Sequence, residues 1–145
     1  MAKYIKPTKN TKFHIDFNWW LQPGKNFHRY LLSHACEACL TLLEENADVQ
    51  TMDWVDPETA RVFSIDQLWY EINHHCAGET DFVPKTLSLT ESVFRLFILN
   101  NNSPLSPVEM EALLDGRRDA RTILRTIGGH KVYEGIRPVS PLVSR

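Results

Sequence analysis

Cysteine and glycine are sparse in this sequence, and long apolar runs are missing. Its 145 residues include 3 cysteines and 6 glycines. The longest aliphatic or aromatic runs are no longer than Leu96-Phe97-Ile98-Leu99. A membrane-spanning helix needs roughly 18 or more such residues, so no span is expected. The basic start at Lys3, Lys6, Lys9 and Lys12 is not followed by the apolar stretch of a signal peptide. An odd cysteine count in that context predicts reduced thiols and a cytoplasmic location rather than a disulfide framework. No sign of charge dominates: 16 Lys+Arg face 18 Asp+Glu, a net charge of −2, with 43% hydrophobic residues. That balance excludes a mainly disordered chain. The length suits one medium domain or two small parts.

Catalytic signatures are absent as well. The sequence has no phosphate loop, no nucleophile elbow and no zincin helix. His14 and Asp16 share a strand face, but no nucleophile is tied to them. Cys76 beside His75 is not a dyad, because adjacent helical residues point apart. The expectation is a protein that is not an enzyme.

The near-neutral total conceals a split. Residues 1–83 hold 7 basic and 12 acidic side chains, whereas residues 84–145 hold 9 and 6. The local balances of −5 and +3 account for the total of −2 and leave a basic C-terminal portion. Such asymmetry is a weak pointer to a polyanionic partner.

Three regions follow from the pattern of residues. Residues 1–12 read as a flexible basic arm. Residues 13–83 read as an α+β part. Phe13, Ile15, Phe17 and Trp19 alternate with polar residues, as in a strand. A long helix is predicted over 26–45, with apolar stripes through Phe27, Leu31, Ala35, Ala38 and Leu42 and through Leu32, Cys36, Cys39 and Leu43. A hairpin is predicted around Asp56-Pro57-Glu58-Thr59, with Ala60 near the position that favours glycine. The first strand is expected to join that hairpin in one small sheet. Trp19, Trp20, Trp54 and Trp69 are expected to fill the core between sheet and helices. Capping boxes at Ser64/Gln67, Ser88/Glu91 and Ser106/Glu109 predict helix starts near 65, 89 and 107. Residues 78–87, with Pro84, read as a linker, and residues 84–145 form the third region.

In that third region the helix from Leu89 to about Asn100 turns Val93, Phe94, Phe97 and Ile98 inward. A short helix from Pro107 to Leu114 follows, with Met110, Leu113 and Leu114 facing the core. A third helix starts near Arg117 or Asp119 and runs to Ile127, closed by Gly128-Gly129 as a glycine cap. Its Ala120, Ile123, Leu124 and Ile127 fall on one buried stripe. The opposite face carries Arg118, Arg121, Thr122 and Arg125, with only Asp119 near to offset them. His130–Tyr133 and Ile136–Val139 flank Glu134-Gly135, which suits a tight hairpin. Helix, short helix, arginine-bearing helix and hairpin over residues 88–139 resemble the winged helix-turn-helix family. The resemblance implies that the Arg117–Ile127 helix enters a groove of DNA and that the hairpin touches the backbone. Arg117, Arg118, Arg121, Thr122, Arg125, Lys131 and Arg137 are the candidate nucleic-acid contacts.

The remaining constellation is Cys36-Glu37-Ala38-Cys39 with His74-His75-Cys76. Side chains at i and i+3 share a helix face, so Cys36 and Cys39 can converge. Cys76 and His75 complete a Cys₃His set for a structural zinc, with His34 competing as the fourth ligand. The competing reading makes the thiols small buried hydrophobes.

Together these features predict a mainly helical α+β protein. A small antiparallel sheet packs on helices, and a winged-helix-like module follows. The expected function is non-enzymatic binding of DNA or RNA, with transcription regulation as its setting. The alternative is a protein-interaction or structural module, zinc-stabilised, whose arginines meet an acidic protein.

Overall fold

The computed structural model of the chain describes residues 6–37, 39–40, 51–55, 60, 62–76 and 82–139. Helices and short antiparallel strands make it an α+β protein. Its contacts separate into two units, one formed by residues 1–23 and 83–145 and the other by residues 24–82. Among the described residues no helix is long and apolar enough to cross a membrane.

The first unit begins with strand β1 (Phe13–Ile15) and a single helical turn, α1 (Phe17–Trp20). β1 pairs antiparallel with the C-terminal strand β4 (Ile136–Pro138), in the register Phe13 to Pro138 and Ile15 to Ile136. It does not join the hairpin of the other unit, contrary to expectation. The reason lies on its other edge. Phe13 exchanges both backbone bonds with Leu105, at 2.8 and 2.9 Å. The Asn102 side chain then does what a neighbouring strand would do: its Oδ1 accepts the Ile15 N–H at 2.8 Å and its Nδ2 donates to the Ile15 carbonyl at 3.0 Å. β1 therefore has both edges satisfied within this unit. Asn102 adopts a left-handed backbone, φ 61°, which asparagine tolerates better than most residues.

Of the arm expected over residues 1–12, residues 6–12 are bonded to the rest of the unit, and residues 1–5 lie outside the described residues. Pro7 is buried. The Lys9 carbonyl accepts the Val108 N–H and the Lys12 carbonyl accepts that of Val139. The Lys12 ammonium pairs with Glu109.

Three helices follow: α4 (Leu89–Leu99), α5 (Pro107–Leu113) and α6 (Ala120–Ile127). Ser88 and Ser106 cap the first two as the sequence pattern requires, the second through a full reciprocal box with Glu109. Val93, Phe94, Phe97, Ile98, Met110, Ile123 and Ile127 form the core with Phe13, Ile15 and Ile136. Leu113 is 52% exposed; Leu114, one residue on, is the buried one. α6 stops at Gly128 with an ordinary φ of −93°, not in the left-handed form of a glycine cap. Glycine is needed there because a Cβ would lie 2.7 Å from the Leu124 carbonyl oxygen.

The expected C-terminal hairpin is reduced to one turn. Glu134 and Gly135, with φ 55° and 80°, reverse the chain between the bridged residues Tyr133 and Ile136. Residues 131–133 form no strand, since the partner of β4 is β1. The turn is anchored by the Trp20 indole N–H, which donates to the Glu134 carbonyl at 3.0 Å.

The second unit contains α2 (Phe27–Leu32), hairpin strands β2 (Thr51–Val55) and β3 (Val62–Asp66), α3 (Gln67–Glu71) and a π-helical turn (Ile72–Cys76). The strands pair from Thr51–Asp66 to Val55–Val62. The hairpin link 56–59 lies outside the described residues, as do residues 41–45 and residues 78–81 of the expected linker. The Trp54 side chain is likewise not among those described. Ala60 does sit in the left-handed region, φ 59°. The single long helix expected over 26–45 is broken at Ser33. The Ser33 N–H and hydroxyl both donate to Tyr30, and His34 bonds back to Leu31, closing the helix with i→i−3 bonds. The expected start at Ser64 is displaced too. Ser64 is held in β3 opposite Asp53, and the Asp66 carboxylate caps α3 through the Leu68 N–H. Trp69 stacks on Phe27 within this unit, and Trp20 is buried in the other.

Replacing Asn102 with alanine removes both bonds to Ile15 and leaves buried strand groups without partners. The expected loss is about 2–3 kcal/mol of stability. Urea denaturation should show it as a lower midpoint with an unchanged slope.

Candidate functional site

Among the described residues, each unit brings together chemistry-bearing side chains that the sequence singles out. In the first unit, α6 is set against α5 by hydrogen bonds at its N-terminus. The Asp119 carboxylate accepts the Thr122 N–H at 2.7 Å, and Glu111 of α5 accepts the Ala120 N–H at 2.8 Å. Two otherwise orphaned donors are thus satisfied, one of them across the turn between the helices. Ala120, Ile123 and Ile127 are buried, while Leu124 is only half-buried. Arg121 and Arg125 stand exposed one turn apart, so both guanidinium groups project from one face.

The other basic residues divide by position. Arg117 and Arg118 precede α6 and are half-buried. The Arg117 Nε donates to the Leu114 carbonyl at 2.9 Å, closing the end of α5. Arg137 is 3.2 Å from the Asp16 carboxylate and is therefore partly neutralised. Lys131 is exposed, its ammonium 5.0 Å from the centre of the Tyr133 ring. Thr122 is occupied in the helix cap, since both its N–H and its hydroxyl bond Asp119. Those bonds hold the Asp119 carboxyl below its ordinary value, helped by the fields of Arg121 and Arg125. Asp119 thus stays anionic beside them and offsets part of their charge.

In the second unit the three cysteines converge. The Cys36 and Cys39 sulfurs are 3.7 Å apart, and Cys76 lies 2.6 Å from Cys36 and 3.0 Å from Cys39. α2 ends early enough for Cys36 to approach the π-helical turn that carries Cys76. The Cys36 N–H donates to the Cys76 sulfur at 3.0 Å, a bond that stabilises sulfur bearing negative charge. Cys39 and Cys76 are buried. Burial first, and the neighbouring thiols second, raise the pKa of Cys39. Burial and the Cys36 thiol likewise raise that of Cys76. Left to themselves, these thiols stay protonated near neutral pH.

The donor set fits a thiophilic metal ion. A tetrahedral zinc with Zn–S bonds of about 2.3 Å separates its sulfurs by roughly 3.8 Å. Cys36 and Cys39 already match that spacing. An entering ion has to move Cys76 outward. The three cysteines can bind a metal, and among the described residues no fourth side chain joins them. His75, expected as a ligand, is directed away. Its Nε2 lies 3.0 Å from the Glu71 carboxylate one turn back, and the ring is half-exposed. Its neighbour Cys76 faces inward, so the two diverge as adjacent helical residues must. His34 is buried against the Tyr30 ring and is not part of the cluster.

One basic residue was missed by sequence reasoning. Lys85 lies on the same cleft as Arg117 and Arg118. No spacing rule connects it to them, because it precedes α4 while they follow α5.

Compared with known protein families, with curated proteins and with solved structures, the chain matches none.

With Cys39 held protonated, its alkylation in metal-free protein should be slow. Iodoacetamide trapping at pH 8, read by mass spectrometry, is expected to modify native Cys39 at least tenfold more slowly than the urea-unfolded chain.

Proposed function

We propose that this protein is a non-enzymatic nucleic-acid-binding protein. Residues 88–139 would act as a winged-helix-like module, with DNA as the preferred partner and transcription regulation as the setting. One observation carries the reading: α6 is the last of three successive helices, and its outer face presents Arg121 and Arg125 opposite the buried Ala120, Ile123 and Ile127. A cationic helix face of this width suits the major groove, where arginine binds phosphate or guanine. Lys131 adds a third exposed cation, beyond the helix. Arg137 contributes less, because Asp16 shares its charge. The wing is a single turn, so the helix supplies most of the interface. Fluorescence anisotropy with duplex DNA and duplex RNA across a salt series tests the reading. Wild-type affinity should fall steeply as salt rises. Arg121→Ala combined with Arg125→Ala should flatten the log–log slope by about 2, near 0.9 per lost phosphate contact. Absence of binding at low salt overturns the reading and favours an acidic protein partner for the same face.

A structural zinc in the second unit is a separate proposal, carried by the convergence of Cys36, Cys39 and Cys76. Bound zinc would keep the sulfurs as thiolates and join the backbone after α2 to that after α3. Protein purified without chelator should contain about one zinc per chain by elemental analysis. Cys76→Ser should lose the metal, and His75→Ala should keep it. Metal-free wild type would overturn the proposal.

A further inference from the structure

The first unit has an open cleft of about 280 Å³ between the segment leading into α4 and the turn joining α5 to α6. Pro84, Leu87 and Leu114 give it apolar walls, and Lys85, Arg117 and Arg118 bring three cations. Among the described residues no carboxylate lines it. The remaining lining residue, Ser92, is buried and donates its hydroxyl proton to the Ser88 carbonyl.

These features have a specific chemical meaning. Arg117 and Arg118 are half-buried against apolar side chains, where uncompensated positive charge is costly. The Arg117 guanidinium is already oriented, because its Nε is bound to the Leu114 carbonyl. Its terminal nitrogens are thereby left as a fork suited to two oxygens of one anion. Lys85 adds a point charge from the facing segment. The volume lies near the lower limit of small-molecule pockets, roughly 300 Å³. A bare halide fills little of that space, and a long apolar ligand leaves the cations unmatched.

We infer that this cleft is a phosphoryl-binding site, taking one phosphate ester with its ester substituent against Leu87 and Leu114. It is distinct from the outer face of α6, since Arg117 and Arg118 precede that helix while Arg121 and Arg125 lie within it. The site goes beyond the nucleic-acid reading and does not require it. Its phosphoryl group comes either from a free phosphate ester or from the backbone of a bound nucleic acid.

The test is a ¹⁵N NMR titration of the full chain with ribose 5-phosphate, with inorganic phosphate, and with duplex DNA. Sodium chloride at matched ionic strength is the control. Saturable shifts at the Leu87, Ser92, Leu114 and Arg118 amides are expected. Lys85→Ala combined with Arg118→Ala should weaken them at least tenfold. Arg121→Ala combined with Arg125→Ala should leave the response to ribose 5-phosphate unchanged. Response to ribose 5-phosphate identifies a free ester as the source. Response to DNA alone, lost in the Lys85/Arg118 variant, identifies a backbone phosphate. If DNA binds while the cleft amides ignore every probe, the inference falls and the nucleic-acid reading stands. If DNA does not bind but the phosphate ester does, the reverse holds. Equal shifts in wild type and the Lys85/Arg118 variant overturn the inference.

Discussion

A three-residue strand can persist only if its backbone groups find partners, and in the first unit those of β1 find them on both edges. On one side lies β4. On the other, Leu105 meets Phe13, and the Asn102 side chain substitutes for a strand opposite Ile15. Most of the unit depends on that arrangement. Phe13 and Ile15 are buried with Phe94, Phe97 and Ile98, so the same strand supplies both core and hydrogen-bond frame. Beyond it, the Asp16 N–H bonds to the Gly135 carbonyl, and the Trp20 indole holds the turn at Glu134. A Cβ on Gly135 would lie 2.8 Å from that indole nitrogen, so the close approach excludes a side chain as firmly as the positive φ does. The residues at the two ends of the unit are therefore coupled through backbone pairing rather than through long elements.

That framework also decides which cations remain available. Arg137 is brought beside Asp16 by the pairing of β1 with β4, and Lys12 is brought beside Glu109. Arg117 closes the end of α5. Arg121 and Arg125 escape such use, because the polar face of α6 points away from the core. Net charge is thus a poor guide to which cations stay available. What matters is how much positive charge the fold has already matched, and Asp119 shows that even the α6 face is partly offset.

In the second unit the constraint is burial of sulfur. Three thiols share one small volume, and desolvation disfavours the ionised forms of the buried Cys39 and Cys76. Such a cluster is stable as packed neutral thiols or as thiolates around a cation. The bond from the Cys36 N–H to the Cys76 sulfur favours the charged form, and burial favours the neutral one. A metal ion reverses the balance by supplying the positive charge that the protein lacks there.

Local features were legible in the sequence. The caps at Ser88 and Ser106, the buried stripe of α6 and the grouping of the cysteines depend on residues a few positions apart, where side-chain spacing dictates geometry. The errors arise where a competing hydrogen bond or ion pair, local or long-range, claims the residue. Ser64 reads as a cap until strand pairing with Asp53 claims it, and residues 26–45 read as one helix until the Ser33 hydroxyl closes the turn at Tyr30. β1 reads as a partner for the nearest hairpin until Leu105, Asn102 and β4 occupy its edges. His75 reads as a ligand until the turn aims it at Glu71. The sequence by itself determined where helices begin in the C-terminal region, which residues are apolar enough for a core, and which residues carry positive charge or sulfur. Tertiary structure decided which strand pairs with which, which arginines stay unmatched, and that Lys85 lines one cleft with Arg117 and Arg118. Those outcomes rest on hydrogen bonds and charges between residues far apart in the chain, where no periodicity connects the partners.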